Sequence, residues 1–282
     1  MIEPIKRSSP LPKGQSRKNV QADKRQPEER TTTTMMGKAH FIIGTGVSLS
    51  LLALTGAPVT VGAVAIAAVS SMLPDIDHPN SLLVTRALPT KLLRVLQSAM
   101  LLIAAALLFY APVEQPWNSV LAAVAVVAMF LPEQALRKGA FVLIGLAVIV
   151  FGERYAPWNR MGGILLIVFS LAPHRGITHT FYALAAWMLL LYGLTGAHGP
   201  SIWLAGGLGY AVHLACDSVT KNGIRPLPPL KAKIRFALMT TGKKSGKRVE
   251  RIGIWITIIL FAGVFGIRLI EYGARLYLRL TS

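Results

Sequence analysis

The chain has 282 residues, of which 53% are hydrophobic and 15% charged, with a mean hydropathy of +0.52. That balance excludes an ordinary soluble domain and points to a membrane protein. The formal net charge is +18, but the lysines and arginines cluster outside the apolar runs, where they set topology and meet anionic lipid headgroups; nucleic acid is the disfavoured partner.

The first 38 residues are polar and include the run Thr31 to Thr34. With no apolar face to bury, residues 1–35 are expected to form a disordered basic cytoplasmic tail, not a cleavable signal peptide. Apolar segments then follow: Phe41 to Leu54, Val59 to Leu73, Val95 to Ala111, Val120 to Leu131, Ala140 to Phe151, Ile164 to Ala172, Phe181 to Leu194, Ile202 to Val219 and Ile252 to Ile270. Most fall short of the ~20 residues that cross a bilayer comfortably, so some are expected to be tilted, half-inserted or covered by neighbours. The fold class is all-α, a multi-pass transmembrane bundle of eight or nine segments. It divides into a membrane-embedded domain over residues 36–220, a basic cytoplasmic loop over 221–251, and a last helix with a short tail over 252–282.

Positive charge orients the bundle. The first 38 residues carry nine Lys or Arg, and ten more lie between Lys221 and Arg251. Arg86, Lys91 and Arg94 follow the second segment, and Arg137 with Lys138 follow the fourth. With a cytoplasmic N-terminus and one crossing per segment, all these loops are cytoplasmic, as the positive-inside rule asks. Arg154 and Arg160, on the expected outer side, fit least well. The same assignment places His40, Asp75 to His78, His174 to His179, and His213 with Asp217 on one face of the membrane.

Those four clusters are the candidates for chemistry. Only three aspartates follow the tail: Asp75, Asp77 and Asp217. His213 and Asp217, four residues apart on a helix, can reach one ion together, and a carboxylate within an apolar segment marks a functional site by default. His174 and His179, five residues apart, point about 140° away from each other on a continuous helix, so they share a site only across a turn, which Pro173 and Gly176 supply. Arg175 between them suits a phosphate oxygen. In Leu73-Pro74-Asp75-Ile76-Asp77-His78, Pro74 is expected to end the helix. An extended Asp75-Ile76-Asp77 then sets two carboxylates on one side, with His78 adjacent. Mixed histidine and carboxylate ligands suit zinc, manganese or iron, and paired ions suit phosphoester hydrolysis. Cysteine ligation is excluded, because the single Cys216 reads as a packing residue.

With these residues in place the chain resembles the YdjM-like family, LexA-regulated inner-membrane metal-dependent hydrolases. His40 followed by Gly44, the Leu73-to-His78 knot, Arg175-Gly176-Ile177-Thr178-His179, and the His213-to-Asp217 pair match in the family's order over residues 36 to about 225. The basic loop and last helix are less characteristic. The resemblance implies a multi-pass hydrolase of the inner membrane with a divalent metal site.

The combined expectation is a phosphoesterase at the cytoplasmic face. His40, Asp75, Asp77, His78, His174, His179, His213 and Asp217 supply ligands to one or two divalent ions, zinc or manganese first. Asp75 or Asp77 acts as general base, and Arg175 steadies charge on the phosphoryl group. Phospholipids, polyprenyl phosphates and nucleotides are the substrate classes. A metal-binding transporter and a non-catalytic membrane scaffold are the competing readings; the former lacks an internal repeat, and eight candidate ligands exceed what a structural site needs.

Overall fold

The computed structural model describes residues 37–109, 116–240 and 243–281; the tail over residues 1–35 lies outside them. Among the described residues the chain forms helices α1 Gly37–Leu54, α2 Val61–Ser70, α3 Leu82–Ala87, α4 Thr90–Phe109, α5 Trp117–Met129, α6 Glu133–Phe151, α7 Trp158–Leu171, α8 Phe181–Thr195, α9 Ser201–Ser218 and α10 Lys244–Thr281. They contain no strand, only isolated bridges joining Thr220 to Met239 and Ile224 to Ile234. The all-α expectation therefore holds.

Among the described residues, the helices long enough to cross a membrane do not confirm the expected count of eight or nine segments. Five helices are long and apolar enough to span: α1, α4, α6, α8 with its continuation to His198, and α10. Helices α2, α5 and α7 are apolar but shorter. Neighbours cover part of this shorter set, since α2 packs along α9 and α7 along α6. By contrast α4 and α10 expose apolar side chains such as Leu102 and Ile270 along their length, the surface a helix offers to lipid. The basic loop is also shorter than expected. Helix α10 begins at Lys244, so Lys247, Arg248 and Arg251 ride on its first turns.

Local chemistry fixes the joints, most of them near one end of the bundle. Thr60, Ser81 and Thr180 cap α2, α3 and α8, each accepting a backbone N–H three residues on. Helix α2 ends at Ser70, and Pro74 opens a separate 3-10 turn, Leu73–Asp77. This corrects both the helix-ending role of Pro74 and the extended Asp75-Ile76-Asp77. A proline tolerates the first position of a helical turn, where its missing N–H leaves no bond unmade. A second 3-10 turn, Ile177–His179, precedes the Thr180 cap, so His179 stands just before α8 and not in its first turn.

Close backbone approach sets the depth of these elements. A Cβ on Gly209 of α9 would stand 2.8 Å from the Ala67 carbonyl of α2, and one on Gly44 of α1 would stand 2.3 Å from the Ser71 Cβ. Small residues at such crossings let helices in lipid gain van der Waals contact. Valine at Gly44 should push α1 away from Ser71, costing about 1–3 kcal/mol of overpacking strain. A thermal melt in detergent with an unmoved midpoint would refute that.

A buried arginine ties the remaining helices to this end. Arg137 of α6, 4% exposed, donates to the Leu88 and Pro79 carbonyls and to Thr90 Oγ1, and stands 3.5 Å from Glu133. Arg137→Leu should leave those acceptors unpaired, at roughly 1–3 kcal/mol for each buried group. The loss is read from the unfolding midpoint, and an unchanged midpoint would remove Arg137 from this role. On the side where positive charge was least expected, Arg160 pairs with Glu153 at 2.8 Å.

Candidate metal centre

The two 3-10 turns, the start of α1 and the end of α9 meet at this end of the bundle. Asp217 lies at the centre. Its Oδ1 is 3.5 Å from His40 Nε2 and 3.2 Å from Arg175 Nη2, and its Oδ2 is 3.1 Å from His179 Nε2. His213 Nε2 is 3.9 Å from the same Oδ2 and 3.7 Å from Asp75 Oδ1, while His179 Nε2 is 3.6 Å from that Asp75 oxygen. His40 stacks on His213 with ring centroids 4.4 Å apart. Three overlapping groups thus form: His40, His213 and Asp217; Asp75, His179 and His213; Asp75, Asp77 and His174. Within each, the potential ligand atoms lie no more than 4.8 Å from one another.

The far nitrogen of each imidazole decides which nitrogen faces the site. His213 Nδ1 lies 2.7 Å from the Ser71 carbonyl, which only accepts, so Nδ1 carries the proton and Nε2 turns inward with its lone pair. His179 is oriented the same way through Thr178, with Nε2 turned inward. The Thr178 hydroxyl donates to Asp77 Oδ2 at 2.7 Å, which leaves its oxygen to accept from His179 Nδ1 at 2.9 Å. His174 Nδ1 meets Asp77 Oδ1 at 3.0 Å. Such outer partners fix tautomer and ring orientation in metal sites.

Asp77 consequently differs from Asp75. Besides His174 and Thr178, it accepts the Arg175 backbone N–H at 3.0 Å, and its side chain is fully buried. Arg175 takes a left-handed φ of 59° to aim that N–H, a conformation costing a non-glycine residue about 1–3 kcal/mol. Asp75 is partly exposed and makes fewer commitments. Burial alone would raise its carboxyl, but the neighbouring His213 and His179 imidazoles hold it well below the usual carboxylate range. Burial alone would lower His179, yet the Asp217 and Asp75 carboxylates facing its ring raise it to about 9.

The arrangement fits a divalent cation on two observations. His179 Nε2, His213 Nε2 and Asp217 Oδ2 are buried with no hydrogen-bond partner, an expensive state for polar atoms unless something else satisfies them. The converging donors are nitrogens and carboxylate oxygens without sulfur, a set suited to zinc, manganese or iron. Of the eight expected ligands, seven fall within the three groups. His78 does not; its Nδ1 accepts the Asn80 N–H at 3.3 Å, and its ring packs edge-on to His174 with centroids 4.9 Å apart. Arg175 turns its guanidinium inward to Asp217, Thr220 Oγ1 and the Gly223 carbonyl.

Sequence reasoning passed over the outer partners. Ser71 acts through its backbone, which no side-chain pattern reveals. Tyr210, whose hydroxyl donates to the Thr178 carbonyl, lies three residues before His213 on the same face of α9 and could have been found from that spacing.

A model of the family described as YdjM inner membrane protein matches residues 35–274. The chain belongs to that family. No curated protein and no solved structure matches it. The YdjM match extends well past residue 225, through the basic loop and most of α10, further than the motifs alone reach. In the structure Gly46 of α1 faces Thr257 of α10, and Ile43 faces Gly253, so α10 forms part of the wall beside His40.

Proposed function

We propose that this YdjM-family protein is a metal-dependent phosphoester hydrolase acting at the cytoplasmic face of the inner membrane. The carrying observation is the convergence of His179 Nε2, His213 Nε2 and Asp217 Oδ2, buried and without hydrogen-bond partners, beside the partly exposed Asp75. The seven residues that would hold one or two zinc or manganese ions are His40, Asp75, Asp77, His174, His179, His213 and Asp217. A bound ion would supply Lewis acidity and activate a water for attack on phosphorus.

The protein's own groups divide the remaining work. Asp75, reachable from solvent, accepts a hydrogen bond from the attacking water and orients it. Asp77 serves chiefly as a holding group for His174, Thr178 and the Arg175 backbone, so it acts on ligand geometry rather than on substrate. Arg175 pairs with Asp217 and is 20% exposed, which supports a role in steadying charge on a phosphoryl oxygen. Three more features support the cytoplasmic assignment: the basic start of α10, the Arg137 network and the Lys221 to Arg235 loop adjoin the site, as positive-inside topology predicts.

Elemental analysis of the purified protein tests the first half of the proposal and a phosphoester screen the second. His179→Ala should reduce bound metal by at least roughly 10–100-fold in affinity, the range that even outer partners command. Metal content equal to wild type would sink the site. A metal-loaded protein inert on phospholipid, polyprenyl-phosphate and nucleotide substrates alike would sink the hydrolase.

A further inference from the structure

A small cavity of about 150 Å³ adjoins the metal-ligand cluster at His40. Ala39 and Ile43 of α1, Val219 of α9, Met239, and Val249 and Gly253 of α10 line it, with Glu250 at its wall. His40 belongs both to this cavity and to the ligand group with His213 and Asp217. Cys216, which also lines it, directly precedes Asp217. The metal cluster and an almost wholly apolar cleft thus share a wall.

The cleft's setting says what could fill it. It lies between the first turns of α1 and α10, both apolar enough to cross a membrane, and their flanking Phe41, Ile42, Ile252 and Ile256 are exposed. Lys244, Lys247, Arg248 and Arg251 stand on the same turns of α10, the level at which a basic helix end meets anionic headgroups. A nucleoside here would bury its sugar and base against aliphatic walls offering almost no hydrogen bonds, a costly exchange. A hydrocarbon chain loses nothing by the same move, and an aliphatic cavity of this size admits a group about as large as benzene.

We infer that this cleft binds the first carbons of the hydrocarbon chain of a lipid phosphate, which enters sideways from the bilayer between α1 and α10 and so brings its phosphate beside His40. The inference rests on the phosphoester reading and narrows its substrate class to membrane lipids. The wall between chain and phosphate is His40 itself, so substrate length is measured from that residue.

Cys216, the sole cysteine of the chain, is a built-in reporter. Full-length protein in phosphatidylcholine nanodiscs is alkylated with N-ethylmaleimide and the rate followed by mass spectrometry. Dodecyl phosphate at roughly nine times its dissociation constant should slow alkylation about tenfold, and inorganic phosphate, AMP and dodecanol should change it less than about twofold. Val249→Trp and Gly253→Leu, two independent ways to fill the cleft, should abolish the protection while leaving metal content and hydrolysis of the soluble p-nitrophenyl phosphate unchanged. A Cβ at position 253 meets the flexible end of Ile43, whose Cδ1 would be 2.9 Å away.

Equal protection by AMP, no protection by dodecyl phosphate, or a thiol inert without any ligand would each overturn the inference. Loss of protection there with metal and p-nitrophenyl phosphate hydrolysis intact leaves the hydrolase standing. Protection by dodecyl phosphate in a protein that cleaves no phosphoester keeps the cleft and removes the hydrolase.

Discussion

Replacing Asp217 with asparagine is expected to abolish high-affinity metal binding and to weaken the metal-free fold together. The substitution keeps shape, removes the charge and turns one acceptor oxygen into an N–H donor. Asp217 is 2% exposed and faces His40 at 3.5 Å, Arg175 at 3.2 Å and His179 at 3.1 Å. Without its carboxylate the Arg175 guanidinium and the His179 imidazole lose a shared counter-charge, and stranding a buried charge costs about 3–5 kcal/mol. For a chain of this size that lowers the melting midpoint by on the order of 10 °C. The second variant separates the two effects: Asp217→Asn combined with Arg175→Met should recover part of the midpoint, since the stranded cation is gone, yet remain metal-free. Wild-type metal content in Asp217→Asn, or an unmoved midpoint, would take Asp217 out of the centre.

What the sequence could disclose divides by distance along the chain. The His213 and Asp217 face was legible because four residues on a helix is a local relation that tertiary structure seldom overrides. Convergence of four clusters was legible for a different reason: positive charge ordered the loops by side, and ends on one side of a compact bundle have few places to go. The turn at Asp75 was misread because Pro74 can close one helix or open a turn, and only the packing of α2 against α9 decides between them. The number of crossings was not legible because apolarity alone does not distinguish a helix that spans lipid from a shorter one packed along a neighbour, as α2 is along α9 and α7 along α6. Arg175 illustrates the deepest limit. Its presence beside His174 was plain, but its left-handed backbone and inward guanidinium depend on Asp77 and Asp217, which lie 98 and 42 residues away.

The pH dependence of metal binding follows from His179. In the metal-free protein its imidazole is raised from 6.5 to about 9 by Asp217 and Asp75, against the opposing effect of burial. Its folded value lies above its unfolded one, so its contribution to stability is complete below about pH 6.5 and is lost as pH rises through about 9. At roughly 1.4 kcal/mol per unit, the contribution is on the order of 3 kcal/mol. Metal binding carries the reverse sign, because an incoming cation must displace that proton. Apparent affinity should therefore climb about tenfold per pH unit between roughly 6.5 and 9 and then level off, with a proton released on binding at neutral pH. Thr178→Val removes the acceptor for His179 Nδ1 and the donor to Asp77, and should weaken affinity about 10–100-fold at every pH without changing the slope. Titration calorimetry in two buffers of different ionisation enthalpy reads both quantities. A metal affinity that is flat across this range would mean that His179 holds no displaceable proton and that the ion, if bound, sits elsewhere.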